Sequence, residues 1–108
     1  MAELTVQKVG LSGLNPAFVA ADSAGDSFAN EGRVFLHVKN GDTVDRIVTI
    51  DSVQSCNFGF DHDITVTVLA GEDSQIGPFS TIRFNNENRL VNVTYDAVIS
   101  TTVAAIQI

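Results

Sequence analysis

Apolar and polar residues alternate along most of this chain with the two-residue period of half-buried β-strands. The clearest run is Ile64-Thr-Val-Thr-Val68, where every second side chain is aliphatic and the intervening threonines suit a solvated face. Arg33–Lys39 sets Val34, Leu36 and Val38 on one face and Phe35 and His37 on the other. Two occupied faces predict a central strand, or one whose second face is covered by a partner. Leu4–Val9, Ile47–Val53, Val91–Tyr95 and Thr101–Ile108 read as further strands. Ile82 and Phe84 also alternate, just before a turn at Asn85-Asn86.

Turn chemistry separates these runs. Asn40-Gly41 joins two residue types that tolerate positive φ, but the next strand begins only near Arg46, so the loop exceeds two residues. Ala70-Gly71-Glu72 turns the chain again. In Gln75–Phe79 the proline at 78 cannot donate to a ladder, so that run is an edge strand or a bend. Leu11–Asn30 is the least regular part. Asn15-Pro16 disfavours a helix at its start, and Ala17–Ala21 is a strand or a helical turn. Twenty structureless residues are unusual in a compact domain, so this part hides a short element or is a loop or arm that touches something else. No segment keeps helical period beyond two turns. The pattern predicts an all-β chain: a single antiparallel β-sandwich of seven or eight short strands, jelly-roll or immunoglobulin-like, spanning 1–108, with Met1–Gly10 as an N-terminal arm or edge strand.

Composition adds limits. A chain of 108 residues with 44% hydrophobic and 18% charged residues can build one core without disulfide or metal. Seven phenylalanines, one tyrosine and no tryptophan predict a core plugged by Phe, and few stacking platforms for sugars or bases. A formal charge of −7 argues against binding nucleic acid or an anionic membrane. Such acidity more often just keeps a small protein soluble, and it also suits docking on a basic surface. The lone Cys56 excludes an intrachain disulfide and a cysteine-rich zinc site, and favours an intracellular assembly context. The N-terminal residues lack the charged and apolar regions of a signal peptide, and no apolar run is long enough to span a membrane. Asn92-Val-Thr94 matches a glycosylation sequon, read here as strand alternation.

Candidate chemistry is sparse. Asp61-His62-Asp63 holds two carboxylates and an imidazole, but neighbouring strand residues point to opposite faces, so a solvated loop is the better reading than a metal site. His37 offers a base or pH switch, or simply a half-exposed strand residue. Cys56 has no Cys–His–Asn pattern around it and reads as a small buried hydrophobe. No nucleophile elbow, phosphate-binding loop or dinucleotide glycine motif occurs, so no catalytic residue, cofactor or metal is assigned and the chain is read as a non-enzyme. Asp26, Glu31, Arg33, Arg83 and Arg89 are scattered charges able to form salt bridges.

Four strings in order carry a resemblance: Ala21–Asn30, Gly32–Gly41, Ala70–Glu72 leading to Ile76-Gly-Pro-Phe79, and Val91–Tyr95 with the terminal Val103-Ala-Ala-Ile106. Together they resemble the head decoration, or cement, proteins of tailed bacteriophages, over roughly residues 17–108. Ser52–His62 has no counterpart in that pattern. The resemblance implies a structural virion protein that binds the major capsid protein on the outer surface of the shell after assembly in the host cytoplasm. It also implies a homo-oligomer, a trimer over a dimer. Leu4, Val6, Asn15, Pro16, Phe18, Asp26 and Phe28 are the expected capsid or subunit contacts. The competing readings are a neck, tail-tube or fibre component, and a carbohydrate-binding module.

Overall fold

The computed structural model describes residues 2–52 and 63–108. Two mixed sheets pack face to face. Among the described residues ten strands build them: β1 (Ala2–Leu4), β2 (Val6–Lys8), β3 (Val19–Ala20), β4 (Asp26–Ala29), β5 (Val34–Asn40), β6 (Arg46–Ile50), β7 (Ile64–Val68), β8 (Asp73–Ile76), β9 (Leu90–Tyr95) and β10 (Thr101–Gln107). One sheet runs β1-β4-β9-β6-β7. The other runs β2-β10-β5-β8, with β3 also paired to β10. The sandwich is therefore all-β as expected, with more strands than expected. It is not purely antiparallel, because β1 pairs parallel with β4 and β2 pairs parallel with β10. The cause lies in Met1–Gly10. Its sequence alternates like a single strand from Leu4. It changes sheets at Thr5, and each half adds itself to a different edge.

Alternation fixes the core. On β5, Val34, Leu36 and Val38 are almost fully buried. They face Val48 and Ile50 of β6 and Val91 and Val93 of β9 across the sandwich, all within one apolar cluster. A one-residue slip of any of these strands would turn its whole apolar set to solvent, so the pattern specifies register. At the end of the sandwich where β5 begins, Phe79 packs between Phe28 and Phe84, with ring centroids 5.6 and 5.4 Å apart. Each such tilted or edge-on pair adds about 0.5–1.5 kcal/mol beyond area burial. The expectation of a Phe plug thus holds at one end, whereas Phe18 and Phe35 sit half-buried.

Thr81–Phe84 departs from the alternating pattern. It forms one helical turn, α1, which buries Phe84 and leaves Ile82 74% exposed. Alternation over three residues cannot distinguish a strand from a turn of helix that buries one residue. The Gln75–Phe79 run resolves as expected for a proline-terminated edge: β8 stops at Ile76, and Gly77 takes φ +135°, with Phe35 backbone too close for any Cβ.

Candidate interaction surface

The irregular Leu11–Asn30 stretch contains a strap rather than a free arm. From Val9 to Phe18 the chain has no regular structure and crosses toward β3. Leu14, Pro16 and Phe18 are half-buried, alternating with exposed Gly13, Asn15 and Ala17. Two devices hold it. The Gln7 side chain donates to the Ala17 carbonyl at 2.8 Å and accepts from the Ala17 N–H at 2.8 Å, mimicking a strand pair. Phe18 meets His37 edge-on at 5.0 Å, and the Lys39 ammonium lies 4.0 Å from the Phe18 ring centroid. His37 in turn contacts Asp73 at 2.6 Å. That contact is the first cause holding the Asp73 carboxyl below its ordinary value. The second face of β5 is thus covered, near His37, by this chain itself.

The opposite end of β5 carries a second polar arrangement. Asn40 is buried at the last position of the strand, where its amide donates to the Val44 carbonyl at 2.9 Å and the Val68 carbonyl at 3.0 Å. Its carbonyl oxygen accepts from the Asp42 N–H at 3.0 Å. Arg46, 4% exposed, pairs with Asp42 and donates to the Ile99 carbonyl and the Thr101 hydroxyl. The Thr43 N–H, first, and Arg46, by charge and hydrogen bond, hold the Asp42 carboxyl below its ordinary value. Gly41 N–H donates to the Ser100 carbonyl, and Ala70 N–H to Asp45. Loops 41–45, 69–72 and 96–100 are therefore tied into one body. Each raises an aliphatic side chain into solvent: Val44 at 60% exposure, Leu69 at 51% and Ile99 at 69%. Scattered exposed aliphatics need no explanation, but these three stand on loops that Asn40, Asp45 and Arg46 tie to one end of the sandwich.

The expected contact residues divide. Leu4, Asp26 and Phe28 are buried inside the protomer, which removes them from any contact surface in this conformation. Their burial follows from β1 and β4 being paired strands whose inner faces point between the sheets. Val6, Pro16 and Phe18 are half-buried, and Asn15 is exposed on the strap. Asp26 instead accepts from the Tyr95 hydroxyl at 2.7 Å, and burial followed by this bond pushes the Tyr95 phenol up from its ordinary value. Cys56, His62 and Asp61 lie outside the described residues. Among the described residues, no three potential metal ligands gather. No helix among them is long and apolar enough to cross a membrane. Arg46, absent from the expected ionic set, is buried and pairs with half-buried Asp42. A lone Arg opening an apolar run was its only sequence signal.

Comparison with protein-family models, with curated proteins and with solved structures gives no match.

Proposed function

We propose that this chain is a structural virion protein that binds the outer surface of a tailed-phage capsid and stabilises the mature head. The loop end at Val44, Leu69 and Ile99 carries this reading. It presents three exposed aliphatic side chains on loops locked by buried Asn40 and Arg46, so it can adhere without paying much ordering entropy on contact. The chain's net negative charge suits a basic rim around the contact on the partner. The partner is the major capsid protein, and the assembly is a homo-oligomer, a trimer over a dimer, on family analogy.

The finer fold reading is a jelly roll. Leaving out β1 and β2, the order β3-β10-β5-β8 over β4-β9-β6-β7 is the two-Greek-key order of an eight-stranded roll, and every pair in it is antiparallel. Jelly rolls recur in viral capsid and lectin domains. Against the lectin alternative stands the aromatic placement. The one tyrosine is half-buried with its hydroxyl held by buried Asp26, and no phenylalanine among the described residues is exposed.

Co-sedimentation with purified mature heads tests the proposal. The protein should pellet with heads and not with isolated tails. Val44→Ser, Leu69→Ser and Ile99→Ser combined should weaken binding about tenfold or more, since three lost contacts at ~0.5 kcal/mol each reach the 1.4 kcal/mol of one decade. Ile82→Ser, at the other end of the sandwich, should leave binding unchanged. Sedimentation with tails alone would support a neck, tube or fibre role instead.

A further inference from the structure

Asn40-Gly41 is the one Asn-Gly pair in the chain. Such a pair deamidates in water unless its surroundings prevent it. Glycine has no Cβ to obstruct ring closure, so its backbone nitrogen reaches the asparagine Cγ more readily than that of a larger residue. The nitrogen bonds to Cγ and loses its proton, and ammonia departs with the side-chain nitrogen. Water then opens the resulting succinimide at one of its two carbonyls. The products are aspartate, or isoaspartate with one more carbon in the backbone.

The joint at the end of β5 calls for both residues. Asn40 bridges the Val44 and Val68 carbonyls with its amide while its own oxygen takes the Asp42 N–H. A Cβ at position 41 would stand 3.1 Å from the Ser100 carbonyl oxygen, closer than ordinary contact, which favours glycine there. The contacts that select this pair also stop its reaction. The attacking nitrogen is held on Ser100, where the Gly41 N–H donates to the carbonyl at 2.8 Å. The departing nitrogen is held by two carbonyls. The Asn40 backbone is fixed by its pairing with Thr101 and by its N–H on the Glu72 carbonyl at 2.9 Å. The residue is 2% exposed, so solvent scarcely reaches it. A reactive approach of Gly41 nitrogen to Asn40 Cγ therefore requires loops 41–45, 69–72 and 96–100 to part first.

The product does not rebuild the joint. A carboxylate at position 40 turns an oxygen toward the Val44 and Val68 carbonyls, where a donor stood before. Isoaspartate also moves Gly41 off Ser100 by one backbone carbon. We infer that Asn40-Gly41 is a deamidation site gated by the loop end: the reaction runs from the opened joint, and its product holds the joint open. This assignment does not depend on the virion reading.

The test is a time course of the full chain at mildly alkaline pH, with deamidation at Asn40 followed by peptide mass spectrometry. A synthetic peptide of residues 36–46 supplies the unprotected rate. The folded chain should react at least about thirtyfold more slowly than the peptide. Urea below the global transition should speed the reaction about threefold or more while far-UV circular dichroism stays native. Arg46→Gln, which leaves the partners of Asn40 in place, should do the same, and the urea series serves if that variant does not fold. In the isolated deamidated chain, amide exchange should rise across loops 41–45 and 96–100 while β4 and β9 stay protected. A peptide-like rate in the folded chain, acceleration only together with global unfolding, or wild-type loop protection in the product would overturn the assignment.

Discussion

Asn40→Ala isolates the contribution of the joint that holds the loop end. The substitution removes three hydrogen bonds at 2.9, 3.0 and 3.0 Å. They are not equivalent. The Val44 carbonyl and the Asp42 N–H lie on exposed or half-exposed loop, where water replaces the lost partner, so each bond is worth about 0.5–1 kcal/mol. The Val68 carbonyl belongs to a residue with no exposure, and an orphaned buried acceptor costs about 1–3 kcal/mol. The sum is roughly 2–5 kcal/mol, which for a two-state domain of this size lowers Tm by roughly 8–20 °C. Urea denaturation followed by far-UV circular dichroism reads the first number, and calorimetry the second. Asn40→Asp sharpens the test. A carboxylate there would keep the Asp42 N–H on one oxygen but set the other against two carbonyl oxygens in a buried place, so its folded pKa should rise above the unfolded value. Such a group subtracts stability as pH rises through the ordinary carboxylate range and returns it as pH falls. Asn40→Asp should therefore be weaker than Asn40→Ala at neutral pH and recover in acid. A loss under ~0.5 kcal/mol for Asn40→Ala, or an Asn40→Asp variant insensitive to pH, would refute the idea that this side chain ties the loops.

Other consequences are direct. Gly77→Ala puts a Cβ 2.9 Å from Phe35 Cα at φ +135°, whereas Gly71 at φ +73° has open space, so Gly77→Ala should cost ~3 kcal/mol or more and Gly71→Ala only ~1 kcal/mol by urea denaturation. The Asp73 carboxyl should titrate by NMR below 3.8, and His37→Gln should return it toward that value. Because the folded value is lowered, whatever stability the contact gives is complete above the ordinary range and lost as pH falls through the lowered value. Phe18→Ala should raise amide exchange at Ala17 and across the strap while leaving β5 and β10 protected, because the strap is held by Phe18 and Gln7 rather than by the core.

Much of the sandwich was legible because period-two alternation is a local property. Val34-Leu36-Val38 and Ile64-Val66-Val68 each announce an inner face without reference to the rest of the chain. Pairing is not local, so strand order was illegible, and so were the parallel partners of β1 and β2. A strand that switches sheets at one threonine looks, residue by residue, like one strand. Asp26 and Phe28, expected at contacts, are buried for the same reason: β4, inside the irregular segment, is a paired inner strand, and Leu4 is buried because β1 pairs with it. The Asn40 joint hid behind turn chemistry. Asn-Gly signalled a loop through its backbone, while the asparagine side chain, buried by the fold, performs the structural task.

The proposed head role is tested most directly by quantitative mass spectrometry of virions purified from any tailed phage found to carry this gene, with heads and tails separated. The account predicts the protein in the head fraction, in a fixed simple ratio to the major capsid protein and accessible to surface labelling. Its absence from virions, or its presence only with tails in a few copies per particle, would contradict the account.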